Sequence, residues 1–137
     1  MLSKPSHGWT EITVGNFTGY GSYIQDIPVL LMEALSRVLA YGITSSIDID
    51  EEGTIFSITF APDSVTLSRE SESAFFPLSA RHLAGELLAD LRRDWDDWLT
   101  WPAECNPNLL SPCEIQEFRK DRATLLTRLI NTVEKLL

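Results

Sequence analysis

Between Ser79 and Pro102 the apolar and acidic residues separate onto two sides of a predicted helix. At about 100 degrees per residue, Ala84, Leu87, Leu88, Leu91, Trp95, Trp98 and Leu99 share one broad face, while Glu86, Asp90, Asp94 and Asp97 stack along another. Ser79 offers a side-chain oxygen as N-cap, and Trp101 followed by proline ends the segment. Earlier in the chain, Ile27, Leu30, Leu31, Ala34, Leu35, Val38 and Leu39 recur at helical intervals up to Tyr41. Asp26 is placed to cap that helix, Pro28 is tolerated in its first turn, and Gly42 supplies a left-handed stop. The last helix opens with Ser111 as cap, Pro112 in the first helical position and Glu114 completing a capping box. Its apolar face carries Ile115, Phe118, Leu125, Leu126, Leu129, Ile130, Val133 and Leu136. Arg122 falls inside that face, so its head must reach solvent or meet a carboxylate.

Elsewhere the period is two. Trp9 to Phe17 reads as a strand, with Ile12 and Val14 on one side and Gly15-Asn16 marking its end. Gly19, Gly21 and Ser22 read as a turn-rich link into the first helix. From Ile43, the residues Ile43, Ile47 and Ile49 point one way until Glu51-Glu52-Gly53 turns the chain. Phe56, Ile58 and Phe60 fill the buried side of the next strand, and Val65 and Leu67 mark a shorter third one. Arg69 to Pro77 reads as a loop anchored by Phe75 or Phe76. These elements predict an α+β domain in which an N-terminal strand, a helix and an antiparallel three-stranded meander precede two C-terminal helices packed on the sheet. A single globular domain over 1–137 is expected, with residues 1–8 flexible.

Composition narrows the chemistry. Twenty acidic and eleven basic residues give a net charge of -9, which repels nucleic acid phosphates and anionic lipid and suits a basic partner. No long apolar run or signal-like N-terminus stands out, so the expected location is the cytoplasm. Cys105 and Cys113 are the only cysteines, too few for a tetrahedral metal site, and are read as reduced thiols. Phosphate-binding, metalloprotease and nucleophile-elbow motifs are missing, so neither an enzyme nor a cofactor or metal is expected. His82 is read as an incidental surface residue.

The acidic row is the unusual feature, because carboxylates four residues apart repel by roughly 0.2–0.5 kcal/mol per exposed pair. Such a row can serve solubility alone; its sharper reading is a docking face in which Glu86, Asp90, Asp94 and Asp97 make charge contacts. Trp95 and Trp98 are read as core, and Trp101, which projects toward the acidic side, as an exposed anchor. Asp48, Asp50, Glu51 and Glu52 form a second candidate contact, against the plainer reading of a charged strand edge.

With Ser22-Tyr23-Ile24-Gln25-Asp26-Ile27-Pro28 leading into an amphipathic helix, the Ile47-Asp48-Ile49-Asp50-Glu51-Glu52-Gly53 hairpin and the acidic Trp-bearing helix, the chain resembles the small acidic immunity proteins that bacteria encode beside polymorphic toxins. The resemblance spans roughly residues 9 to 101. It implies a cytoplasmic protein that neutralises one cognate toxin, possessing a basic surface and in many such systems a nuclease, by direct stoichiometric binding. Two other readings stand beside it: an adaptor or structural subunit that oligomerises through the acidic face, and a hydrolase using a carboxylate pair such as Asp90 and Asp94.

Overall fold

Alternating apolar residues build two antiparallel sheets. The computed structural model describes residues 1–101 and 111–137. In the first sheet, β1 (Trp9–Val14) turns through Gly15-Asn16 into β2 (Phe17–Ser22). The stretch expected as a turn-rich link is therefore mostly strand. Its glycines have a packing reason: a Cβ on Gly19 would lie 2.6 Å from the Phe56 ring, and one on Gly21 would lie 2.8 Å from the Ile27 side chain.

The second sheet has four strands in the order β3 (Ser45–Asp50), β4 (Ile55–Phe60), β5 (Val65–Arg69) and β6 (Glu72–Phe76). Ile47, Ile58, Leu67 and Ala74 lie in register across its inner face. The predicted meander is extended by β6, which replaces the anchored loop. Ile43 lies outside β3 and is exposed, and buried Ser45 begins the inner row, receiving a hydrogen bond from Arg37 Nε at 3.2 Å.

The β1–β2 hairpin and α1 (Ile27–Tyr41) meet the inner face of this sheet. α1 buries Ile27, Leu31, Met32, Ala34, Leu35 and Val38, each large side chain contributing roughly 1.5–3 kcal/mol. Gly42 ends it with φ 65°, as its sequence position predicts. α2 (Ala80–Arg93) and α4 (Pro112–Leu136) pack chiefly on α1, and α3 (Trp95–Thr100) on α4. α2 and α4 thus join α1 in a layer of helices, and the single helix predicted over Ser79 to Pro102 is divided into α2 and α3. The caps at Ser79 and Ser111 both form, accepting from the amides of His82 and Glu114 at 3.1 and 3.2 Å.

Asp26 does not cap α1 with its side chain. Its two oxygens accept from Arg122 Nη1 and Nη2 at 2.7 and 2.9 Å, and Arg122 Nε donates to the Trp98 carbonyl at 2.7 Å. Arg122 is buried. Of the two outcomes open to an arginine within an apolar face, it meets a carboxylate, and one guanidinium ties α4 to α3 and to the start of α1. No helix among the described residues is long and apolar enough to cross a membrane. The prolines at 102 and 107, together with Cys105 and any pairing it makes with Cys113, lie outside the described residues.

Because Asp26 is one third exposed, removing it is expected to cost about 2–4 kcal/mol, somewhat below the range for a fully buried pair. Urea unfolding should show Asp26→Ala to be more damaging than Arg122→Met, which removes the buried charge along with its partner. The reverse order would contradict this account of the staple.

Candidate protein-binding surface

The helix bearing the acidic row breaks once, at Asp94, whose φ of -112° and ψ of 33° separate α2 from α3. The predicted single helix is therefore two. Trp101, which an unbroken helix would turn toward the carboxylates, is fully buried and meets Trp98 edge-on with ring centroids 5.2 Å apart. The expectation of an exposed Trp101 anchor is corrected accordingly. Trp98 is core, as its position predicted, and Trp95 is partly buried against it.

The row itself is turned inward at its centre. Asp90 Oδ2 accepts from the amino group of Met1 and the amide of Leu2, both at 2.8 Å, while Oδ1 accepts from Arg93 Nη1 at 2.9 Å. Asp94 Oδ2 accepts from Nε and Nη2 of the same arginine at 2.9 and 2.7 Å. Only 14% of the Asp90 side chain and 12% of the Asp94 side chain remain exposed. Hydrogen bonding to Asp94 is the largest influence raising the Arg93 pKa above its ordinary value; desolvation opposes it, and the charges of Asp94 and Asp90 reinforce it. The open acidic face expected here is thus a self-paired cluster in which Asp90 and Arg93, the latter also paired with Asp94, fasten the first residues of the chain. Leu2 is buried and bridges to Ile12, so residues expected to be flexible are packed. Glu86 and Asp97 stay more open, at 46% and 38%, with His82 3.4 Å from the former and Lys4 3.8 Å from the latter.

The hairpin carboxylates divide differently. Glu51 is taken up by the fold: it receives Arg69 Nε and Nη2 at 2.9 and 3.0 Å, the Tyr20 amide at 3.0 Å and the Thr54 hydroxyl at 3.0 Å. Asp48, Asp50 and Glu52 have no cation within 4.0 Å among the described residues. Asp48 accepts from the Ser57 hydroxyl at 2.6 Å, and Asp50 from the Glu52 amide at 2.7 Å, so their positions are set by neutral donors that leave the charge intact.

Four exposed side chains that the sequence did not mark as contacts flank this hairpin end. Tyr20 is held there because its amide binds Glu51. Tyr23 and Ile24 precede Gln25, whose side chain donates to the Asp48 carbonyl at 2.9 Å and accepts from the Asp50 amide at 2.7 Å. Ile55 lies opposite Asp50 on the outer face. Its exposure was readable, since a strand that buries Phe56, Ile58 and Phe60 must turn Ile55 away. Carboxylates beside tyrosines and isoleucines make a surface suited to a basic protein. Among the described residues, no group of three His, Cys, Asp or Glu side chains is placed to hold a metal ion. Compared with protein-family models, curated proteins and solved structures, the chain matches none.

Asp90→Lys removes the acceptor for the Leu2 amide and sets a cation beside Arg93, so it is expected to lower stability by about 1–3 kcal/mol. Glu52→Lys, on an exposed turn, should stay within about 0.5 kcal/mol of the parent. Denaturant titration of both compares them directly; equal losses would mean that Asp90 is not structural.

Proposed function

We propose that this chain is a non-enzymatic inhibitor that neutralises a basic protein partner by stoichiometric binding, and that its contact surface is the end of the β3–β4 hairpin. The observation that carries the reading is the unequal use of its carboxylates: Asp90 and Asp94 are hydrogen-bonded to their own chain, whereas Asp48, Asp50 and Glu52 keep their charge beside Tyr20, Tyr23, Ile24 and Ile55. A net charge of -9 leaves nine carboxylates unmatched even if each Lys and Arg takes one. Those on a protruding turn set the field that an approaching protein meets first, which speeds encounter and orients it. The neighbouring tyrosines then supply contact area at little conformational cost.

The resemblance to immunity proteins supports the same reading and supplies the class of partner, a toxin whose basic surface suits an acidic inhibitor. Glu86 and Asp97 fit a peripheral role at most, since the Met1 amino group lies 4.0 Å from the former and Lys4 3.8 Å from the latter. Asp90, Asp94, Glu51 and Trp101 leave the contact set, because exposing any of them would dismantle packing that the fold requires.

The reading is tested by co-expressing the chain with the product of each adjacent gene in a bacterial host. Restored growth and an equimolar complex are expected with one of them. Asp48→Lys with Glu52→Lys should then slow association about tenfold at low salt and flatten its salt dependence. Absence of rescue and complex with every neighbour would refute the function, and unchanged association by the double variant would refute the surface.

A further inference from the structure

Each edge of a sheet presents a row of N–H and C=O groups that must find partners. Among the described residues, three of the four edges are closed. On β1, the Ser3 amide donates to the Glu11 carbonyl at 3.0 Å and the Thr13 amide to the Met1 carbonyl at 2.9 Å. On β2, the Tyr20 amide binds Glu51 and the Thr18 carbonyl accepts from Arg69 Nη2 at 3.1 Å. On β3, the Gln25 amide spans the Asp48 carbonyl and the Asp50 amide. β6 is different: β5 lies on one side and, among the described residues, no strand on the other. No side chain among the described residues hydrogen-bonds to its outward backbone. The Arg69-to-Glu72 turn sets the alternation, so Ser73 and Phe75 direct their backbone groups outward. The devices that blunt exposed edges, lysine, proline or a bulge, are missing from Glu72-Ser73-Ala74-Phe75-Phe76, and Phe75 is 65% exposed.

We infer that β6 is a self-association edge, pairing antiparallel with β6 of a second copy about a two-fold axis at Ala74. The strand is self-complementary in that register. Ser73 of each copy lies opposite Phe75 of the other, and both residues offer outward N–H and C=O groups, so the two pairs complete four backbone hydrogen bonds. The two Phe75 rings become diagonal neighbours on one face, within the roughly 7–8 Å that aromatic side chains bridge. Charge does not oppose the pairing locally: the two Glu72 residues sit four residue steps apart, about 14 Å, beyond the ~8 Å over which physiological salt leaves charges coupled. Nearby outward positions on the same face, Ser57, Thr59, Thr66, Ser68 and Ser73, are neutral. Five residues per copy bury well under the ~1,600 Å² of a standard interface, so the dimer is reversible and concentration-dependent. Because each copy carries a net charge of -9, salt strengthens this dimer, whereas salt weakens the contact with a basic partner proposed above.

Sedimentation velocity on the full chain, from about 10 µM to about 1 mM at low and high salt, reads the equilibrium. A dimer that grows with concentration and with salt is expected, together with concentration-dependent protection of the Ser73 and Phe75 amides from hydrogen exchange. Phe75→Lys should weaken it at least tenfold. Ser73→Pro, which deletes an outward N–H and leaves the β5 ladder intact, should do the same, with circular dichroism confirming that both variants fold. A monomer throughout the range, or a dimer that either folded variant leaves unchanged, overturns the inference.

Discussion

The architecture depends on how the edges of its two sheets are satisfied. β2 and β3 lie side by side, yet they belong to different sheets. What joins them is a polar clamp: Arg69 donates to Glu51 and to the Thr18 carbonyl, while Glu51 accepts the Tyr20 amide. The guanidinium also lies 4.9 Å from the Phe17 ring centroid and 5.5 Å from that of Phe56, and those rings are themselves 5.4 Å apart. Cation and carboxylate are both largely removed from water, where an unpaired charge is costly, so each needs the other. Gly19 permits the close approach of β2 to Phe56, and Gln25 closes the β3 edge just before α1 begins.

A second consequence follows from the same economy of cations. An acidic chain with eleven basic residues against twenty acidic ones uses three arginines, Arg69, Arg93 and Arg122, to hold elements together through Glu51, Asp90, Asp94 and Asp26. The carboxylates that build the fold are thereby distinguished from those that project from it. Only the latter have charge to offer a partner, which moves the candidate surface from the middle of α2 to the hairpin end.

Local signals were legible. The cap at Ser79, the cap at Ser111, the glycine stop at Gly42 and the apolar faces of α1 and α2 depend on residues within a turn or two of one another. Period two revealed β3 to β5 for the same reason. β2 was misread because Gly19 and Gly21, ordinary turn residues in sequence, are glycines on account of Phe56 and Ile27, which are distant in the chain. β6 was read as a loop because its polar first half masks the alternation, and only pairing with β5 makes it a strand.

The acidic row was correctly located along the helix, but its role was decided elsewhere. Whether a carboxylate is free depends on what is folded against it: Arg93 pairs with Asp90 and Asp94 from the same stretch of helix, but the Met1 amino group and the Leu2 amide reach Asp90 only when the N-terminal segment docks on α2. Trp101 shows the same limit over a shorter distance, since the break at Asp94 separates it from the helix whose face predicted its exposure. From its sequence alone this chain determined where its helices lie except for the break at Asp94, most of its strands and its surplus of negative charge, because periodicity, caps and composition act locally or in total. Tertiary structure alone decided which charges face water and which edge stays open, because those depend on contacts between residues up to 96 positions apart.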